Sequence, residues 1–130
     1  VGEDPQVLCD IAESYNYLKN YRTARSYARR ALRVDKNFGM AYIRIGEAYE
    51  YCAEDVIAKK GGFSKIKFDD KLIYELAYQQ YKKAANYPDV ASIANRKMNA
   101  IKSLLPTKED RFMNPDKTKA TNQAYQWIYR

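Results

Sequence analysis

The sequence predicts an all-α protein in which antiparallel helix pairs stack into a solenoid. Two stretches repeat at a spacing of 34 residues: Leu8, Ile11, Ala12 and Tyr15 correspond to Tyr42, Ile45, Gly46 and Tyr49. The run after each stretch repeats at a spacing of 53: Tyr21, Ala24, Ala28 and Ala31 correspond to Tyr74, Ala77, Tyr81 and Ala84. About 19 extra residues therefore lie inside the second repeat. A period of 34 with small residues at fixed positions is typical of stacked helix pairs.

The first helix pair has clear boundary signals. Asp4 suits an N-cap, and Pro5 suits the first helical position because its missing N–H would have no partner there. Apolar residues then recur at steps of three and four, which predicts one apolar face and a helix that ends near Asn20. The second helix is expected over 22–34, and 35–37 form the turn that follows it.

Three more helices complete the predicted fold. The third is expected over 38–58, and the glycines at 61–62 end it. The fourth is expected to start at Asp69 or Asp70 and to reach residue 86. The fifth, at 89–105, has an apolar stripe and would cover the exposed side of the last pair, as the end of a solenoid requires.

Residues 106–130 do not continue the helical pattern. A turn signal at 114–116 separates Phe112-Met113 from an aromatic run at 125–129 with strand-like composition, which predicts a β-hairpin or an extended arm. The predicted organisation is a helical domain at 1–105, with repeat one at about 5–37, repeat two at about 38–88 and a cap helix at 89–105, followed by a C-terminal extension at 106–130.

Composition argues against an enzyme, a cofactor site or a metal site. The chain has no histidine, which removes the commonest general base and metal ligand. Cys9 and Cys52 fit no zinc spacing, and are either buried apolar residues, a disulfide or a reactive thiol. No stretch approaches the roughly 18 apolar residues of a membrane helix. Because the chain starts at Val1 rather than Met, we expect a part of a longer protein.

The repeated residues resemble the tetratricopeptide repeat (TPR) family. That family has a large residue, a Leu-Gly or Leu-Ala pair and a Tyr in its first helix, then an Ala, an aromatic residue and an Ala in its second. The matching positions are Leu8, Ile11-Ala12, Tyr15, Ala24, Ala28 and Ala31, and then Tyr42, Ile45-Gly46, Tyr49, Ala77, Tyr81 and Ala84. The resemblance covers about 5–88, with 90–105 as the cap. Ala28 departs from the usual aromatic, Lys36 departs from the usual Pro, and the insertion departs from the usual length.

The resemblance implies a right-handed solenoid that binds a protein or peptide without catalysis. The tail, with Pro106 and a closing Trp127-Ile128, is similar to the end of a group of uncharacterised bacterial TPR proteins. The chain would then be the C-terminal part of a longer repeat array. The sequence does not distinguish bacterial cytoplasm from periplasm. Self-association is also open, since solenoid ends self-associate readily when upstream repeats are missing.

In this family the first helix of each pair lines a concave groove. The groove positions here are Gln6, Cys9, Glu13, Asn16, Tyr17, Met40, Ile43, Glu47, Glu50 and Tyr51, joined on the cap helix by Asn95, Met98 and Asn99. This predicts an acidic groove with aromatic spots for a peptide that carries Lys or Arg beside an apolar anchor. The alternative is that its glutamates are merely solvated. Because Cys9 and Glu13 replace the Lys and Asn of chaperone-binding repeats, we expect no binding to an acidic chaperone tail.

A basic stripe on helix two is the rival signal. Arg22, Arg25, Arg29 and Arg33 recur at steps of three and four, so they would share one face that could neutralise phosphates. The net charge of +7 agrees with this alternative, a nucleic-acid or anionic-surface binder. The favoured alternative is a solvated outer face of the solenoid, partly paired with neighbouring carboxylates. Tyr27 is the only aromatic residue near it, which favours a protein partner over nucleic acid.

Overall fold

The computed structural model describes residues 2–130, and all regular structure in that range is helical. The helices are α1 (Pro5–Tyr17), α2 (Tyr21–Val34), α3 (Gly39–Lys59), α4 (Phe68–Ala84), α5 (Ala91–Ile101) and α6 (Lys108–Met113), with short 3₁₀ turns at Phe63–Lys65, Lys102–Leu104 and Gln123–Tyr129. The predicted all-α class is confirmed. No helix within 2–130 is both long and apolar enough to cross a membrane.

The helix ends follow the local chemistry of the sequence. The Asp4 carboxylate accepts a hydrogen bond from the Gln6 backbone N–H at 2.8 Å, so Asp4 is the predicted N-cap of α1. Beyond α3, Gly61 and Gly62 have φ angles of 111° and 105°, which glycine adopts at little cost. α4 starts slightly earlier than expected, because the Asp70 carboxylate reaches back from its first turn to the Lys67 N–H at 2.9 Å.

Consecutive helices pack against each other. The Tyr15 ring of α1 stacks on the Tyr27 ring of α2, with 5.6 Å between the ring centres. α3 packs on α4, and it also contacts α1 and α2, while α5 packs on α4. Gly46 faces Tyr81 so closely that a Cβ atom at Gly46 would lie 2.4 Å from the Tyr81 ring. The small residue of the repeat is therefore required where α3 crosses α4.

The core lies between these helices and is rich in alanine. Ala12, Ala24, Ala28 and Ala31 are fully buried between α1, α2 and α3. Side chains this small let helix backbones approach closely. On the other side of the fold α5 buries Ala94 and Ile101.

The hairpin alternative for 106–130 is wrong, because no strand occurs among residues 2–130. Thr107 and Asp110 form a capping box that starts α6, with the Asp110 N–H donating to the Thr107 hydroxyl at 3.0 Å. The final 3₁₀ turn has about three residues per turn, so Tyr125 and Ile128 lie on one side and are both buried. The tail therefore packs on the helices rather than pairing with itself.

Candidate functional site

One chain of ion pairs crosses α1, α3 and α5. Arg44 contacts Glu13 at 3.1 Å and Glu47 at 2.8 Å, and Lys97 contacts Glu47 at 2.7 Å. Lys97 also donates to the Tyr51 hydroxyl at 3.1 Å. These five residues define a surface shared by three helices, which we call the inner face.

The ion pairs correct the expected charge of the inner face. Glu13 and Glu47, two of the predicted groove glutamates, are both paired with cations that lie far from them in sequence or on another helix. Burial alone would lower the pKa of Lys97, but the Glu47 carboxylate outweighs it and raises that pKa. This part of the groove is therefore close to neutral rather than acidic.

Unbalanced negative charge lies one turn further along α3. Within residues 2–130, no Lys or Arg forms an ion pair with Glu50 or Glu54, although the Tyr81 hydroxyl donates to Glu50 at 2.6 Å. Partial desolvation, a hydrogen bond with the Glu50 carboxylate and the charge of that carboxylate raise the pKa of Glu54 to about 7. The Glu54 carboxylate therefore tends to retain a proton near neutral pH.

A cavity of about 300 Å³ opens between α1 and α3 beside this pair. Its lining residues are Asn16, Tyr17, Lys19, Tyr21, Tyr51, Glu54 and Asp55. The Asn16 side chain is only 4 % exposed, and its Nδ2 donates to the Arg44 carbonyl at 3.1 Å. Its Oδ1 has no hydrogen-bond partner within the described part of the chain. The cavity thus combines aromatic rings, carboxylates and an unsatisfied acceptor.

The predicted groove positions divide by exposure. Gln6, Glu13 and Tyr17 are exposed, Met40, Glu50 and Tyr51 are half-buried, and Cys9, Asn16, Ile43 and Glu47 are buried. On the cap helix Asn95 and Asn99 are exposed and Met98 is half-buried. Cys9 and Ile43 have no exposed surface at all, because α1 packs directly on α3 there, so these two are corrected from groove to core.

Arg25, one of the four arginines of the predicted basic face, does not lie on that face. Arg25 is only 4 % exposed, and its guanidinium donates to the main-chain oxygens of Trp127, Ile128 and Arg130 at 2.9, 2.8 and 3.0 Å. It binds the tail and does not face solvent. Arg22, Arg29 and Arg33 are exposed and form no ion pair with residues 2–130. Three arginines rather than four remain for an anionic partner.

Both cysteines are free and buried. Burial raises the pKa of the Cys9 thiol to about 12, so the thiol stays protonated. The Cys52 thiol lies 3.6 Å from the Ala124 carbonyl oxygen, beneath the tail. Of the three alternatives for the cysteines, the structure supports buried apolar side chains rather than a disulfide or a reactive thiol. Within residues 2–130 no three Cys, Asp or Glu side chains cluster as metal ligands would.

Sequence reasoning missed Arg44, Lys97 and Glu54. Lys97 lies 50 residues from Glu47, and only the packing of α5 brings it to α3. Glu54 had a readable signal, because Glu50 and Glu54 are four residues apart on one helix and so lie side by side.

Comparison with protein-family models, curated proteins and solved structures finds no match to this chain.

Proposed function

We propose that this chain is a TPR-like helical repeat protein, and that its inner face binds a peptide segment of a partner protein without catalysis. The observation that carries the proposal is the cavity between α1 and α3, where Tyr17, which is 86 % exposed, lines the same space as Tyr51 and Glu54. Exposed aromatic rings next to polar groups are a common composition of binding hot spots.

The order of helix contacts supports the repeat arrangement. α1 pairs with α2, α3 pairs with α4, and α3 lies against both helices of the first pair. That order is expected of consecutive repeats in a solenoid, in which each repeat contacts only its neighbours. Under this arrangement α1, α3 and α5 would line the same side, as the bridges through Arg44 and Lys97 require.

The charges beside the inner face, on Glu50 and Glu54, favour a partner with basic residues. Glu50 and Glu54 have no paired cation, whereas Glu13 and Glu47 are neutralised by Arg44 and Lys97. A peptide with a Lys or Arg would therefore meet complementary charge at one end of the face, while tyrosine rings offer contact for an apolar side chain. An acidic chaperone tail would be repelled there.

Selection from a random peptide display library tests the proposal. We expect enriched peptides with basic and apolar residues, and we expect Tyr17→Ala to weaken their binding about fivefold or more, as removal of a binding aromatic residue does. Phe112→Ala is the matched control, because Phe112 on α6 is an aromatic residue of similar exposure, at 81 %. Failure of any peptide to enrich, or an equal loss in both variants, would contradict the proposal.

The second candidate function is binding of nucleic acid or another anionic surface through α2. It is favoured by the exposed and unpaired Arg22, Arg29 and Arg33. If all three contact phosphates of a duplex, the logarithm of affinity should fall with the logarithm of salt concentration at a slope of about −2.7. Arg22→Glu/Arg29→Glu should then abolish binding to duplex DNA. A wild-type protein that shows no salt-dependent binding to DNA would remove this candidate.

A further inference from the structure

We infer that the cavity between α1 and α3 is a binding site for one basic side chain of a partner peptide, an ammonium or a guanidinium group. The inference rests on the proposed function, because it names the residue type that the inner face recognises. The cavity volume of about 300 Å³ is at the small end of ligand sites. That size suits a single side chain better than a whole ligand.

The buried amide of Asn16 supplies the first argument. Its Nδ2 is held by the Arg44 carbonyl, and Arg44 does not line the cavity. Its Oδ1, at the other end of the amide, has no partner within residues 2–130. A buried acceptor without a donor costs about 1–3 kcal/mol, so a ligand N–H that reaches it would recover that loss.

The carboxylates of the cavity supply the second argument. Asp55 already has partners, since Lys19 contacts it at 3.2 Å and the Tyr21 hydroxyl donates to it at 2.5 Å. No Lys or Arg within residues 2–130 forms an ion pair with Glu54, and the neighbouring Glu50 adds a second carboxylate. Lys19, the one cation that lines the cavity, is thus engaged by Asp55, whereas the Asn16 Oδ1 and the Glu54 carboxylate have no cationic partner within residues 2–130. An ammonium or guanidinium group provides both a donor and a positive charge.

The aromatic residues of the cavity supply the third argument. Tyr17 and Tyr51 line it together with Glu54. Tyrosine rings attract cations through their electron-rich faces, and they also cover the apolar stem of a Lys or Arg side chain. The Tyr51 ring already has Lys97 at 5.4 Å from its centre, which shows that cations are accommodated at this ring.

A bound cation and a proton would compete for the Glu54 carboxylate. The pH dependence of the binding affinity therefore tests the role of Glu54. The groups that face it are Glu50 and Asp55 on α3, Tyr74 on α4 and Lys97 on α5, with Lys19 and Tyr21 across the cavity. The pKa of Glu54 is about 7, and the chain has no histidine that would titrate in this range. If the cation binds only the ionised carboxylate, affinity should be about tenfold weaker near pH 6 than near pH 8.

The experiment is an NMR titration of the intact 130-residue chain with small probes. The probes are the N-acetyl methylamides of arginine, lysine and citrulline, where citrulline is the neutral match of arginine. We expect saturable amide shifts near Asn16, Tyr51 and Glu54 with arginine or lysine, and none with citrulline. Glu54→Gln should weaken binding about fivefold or more, whereas Glu109→Gln, at an exposed position on α6, should not.

The outcomes separate this inference from the proposed function. Equal shifts with arginine and citrulline, or unchanged affinity in Glu54→Gln and across pH, would overturn the cation site while leaving peptide binding to be judged by the display selection. Cation binding in the cavity without any enriched peptide would overturn the proposed function but not the site. Glu54→Gln is chosen because Glu54 is exposed, so its replacement leaves the core intact.

Discussion

Arg25 on α2 and Trp127 in the last 3₁₀ turn are joined in two ways. The Arg25 guanidinium donates to the Trp127 carbonyl oxygen at 2.9 Å, and its central carbon lies 4.9 Å from the centre of the indole ring. The indole also packs beside the Tyr49 ring of α3, with 5.8 Å between the ring centres. One buried arginine therefore attaches the tail to the first helix pair over a separation of 102 residues.

Replacement of this arginine should detach the tail. Arg25→Lys keeps the charge but cannot match the planar fork that reaches three main-chain oxygens, so we expect a loss of about 1–3 kcal/mol in unfolding free energy. Urea unfolding followed by fluorescence of the single tryptophan, Trp127, measures it directly. Arg29→Lys, on the exposed side of α2, is the control. Identical midpoints for both variants would show that Arg25 does not hold the tail.

The close crossing of α3 and α4 predicts intolerance at Gly46. A Cβ atom there would lie 2.4 Å from the Tyr81 ring, so Gly46→Ala must displace a fully buried side chain. Overpacking costs about 1–3 kcal/mol, and better helix propensity returns about 1 kcal/mol. We expect a net loss of about 1 kcal/mol in chemical unfolding. Gly2→Ala, with nothing within 4 Å, should be neutral; a Gly46→Ala protein as stable as the wild type would argue against this crossing.

A buried hydroxyl links the tail to the start of α4. The Tyr125 hydroxyl donates to the Asp70 carboxylate at 2.6 Å, and Asp70 is fully buried and also contacts Lys60. Tyr125→Phe should therefore cost about 1–3 kcal/mol, because it removes a donor from a buried charge. Thermal unfolding of Tyr125→Phe beside Tyr17→Phe, the same change on an exposed side chain, checks this. Equal stability of the two variants would contradict it.

Glu54 should make stability depend on pH. Its pKa is about 7 in the folded chain and about 4.5 as a free side chain, so the folded state holds the proton more tightly. That contribution is fully present below about pH 4.5 and is lost as pH rises through about 7. Glu54→Gln should flatten this part of the stability profile, whereas Glu109→Gln should not. The measurement is the unfolding midpoint in steps between about pH 5 and pH 8. If both variants follow the wild-type profile, the raised pKa of Glu54 is refuted.

The helix pairs could be predicted because their signal is local. Apolar residues at steps of three and four and the Asp4-Pro5 start specify α1 without reference to the rest of the chain. The small residue at Gly46 likewise marked a close crossing, and it meets Tyr81, another repeat position.

The tail could not be predicted, because its signal is not local. Aromatic residues at 125–129 suit a strand as well as a packed 3₁₀ turn, and the choice depends on Arg25 and Asp70, which lie far away in sequence. The same holds for the inner face, where Lys97 reaches Glu47 only through the packing of α5. Long-range pairing decides these features, and one sequence does not display it.

The location of a bound peptide tests the central claim most directly. The isotope-labelled chain would be titrated with the best peptide from the display selection, and its amide shifts would be mapped on the structure. We predict that the largest shifts lie on α1, α3 and α5, around Tyr17, Tyr51 and Lys97, and spare Arg22 and Arg29 on α2. Shifts concentrated on α2 or on the tail at 106–130 would contradict a binding function for the inner face.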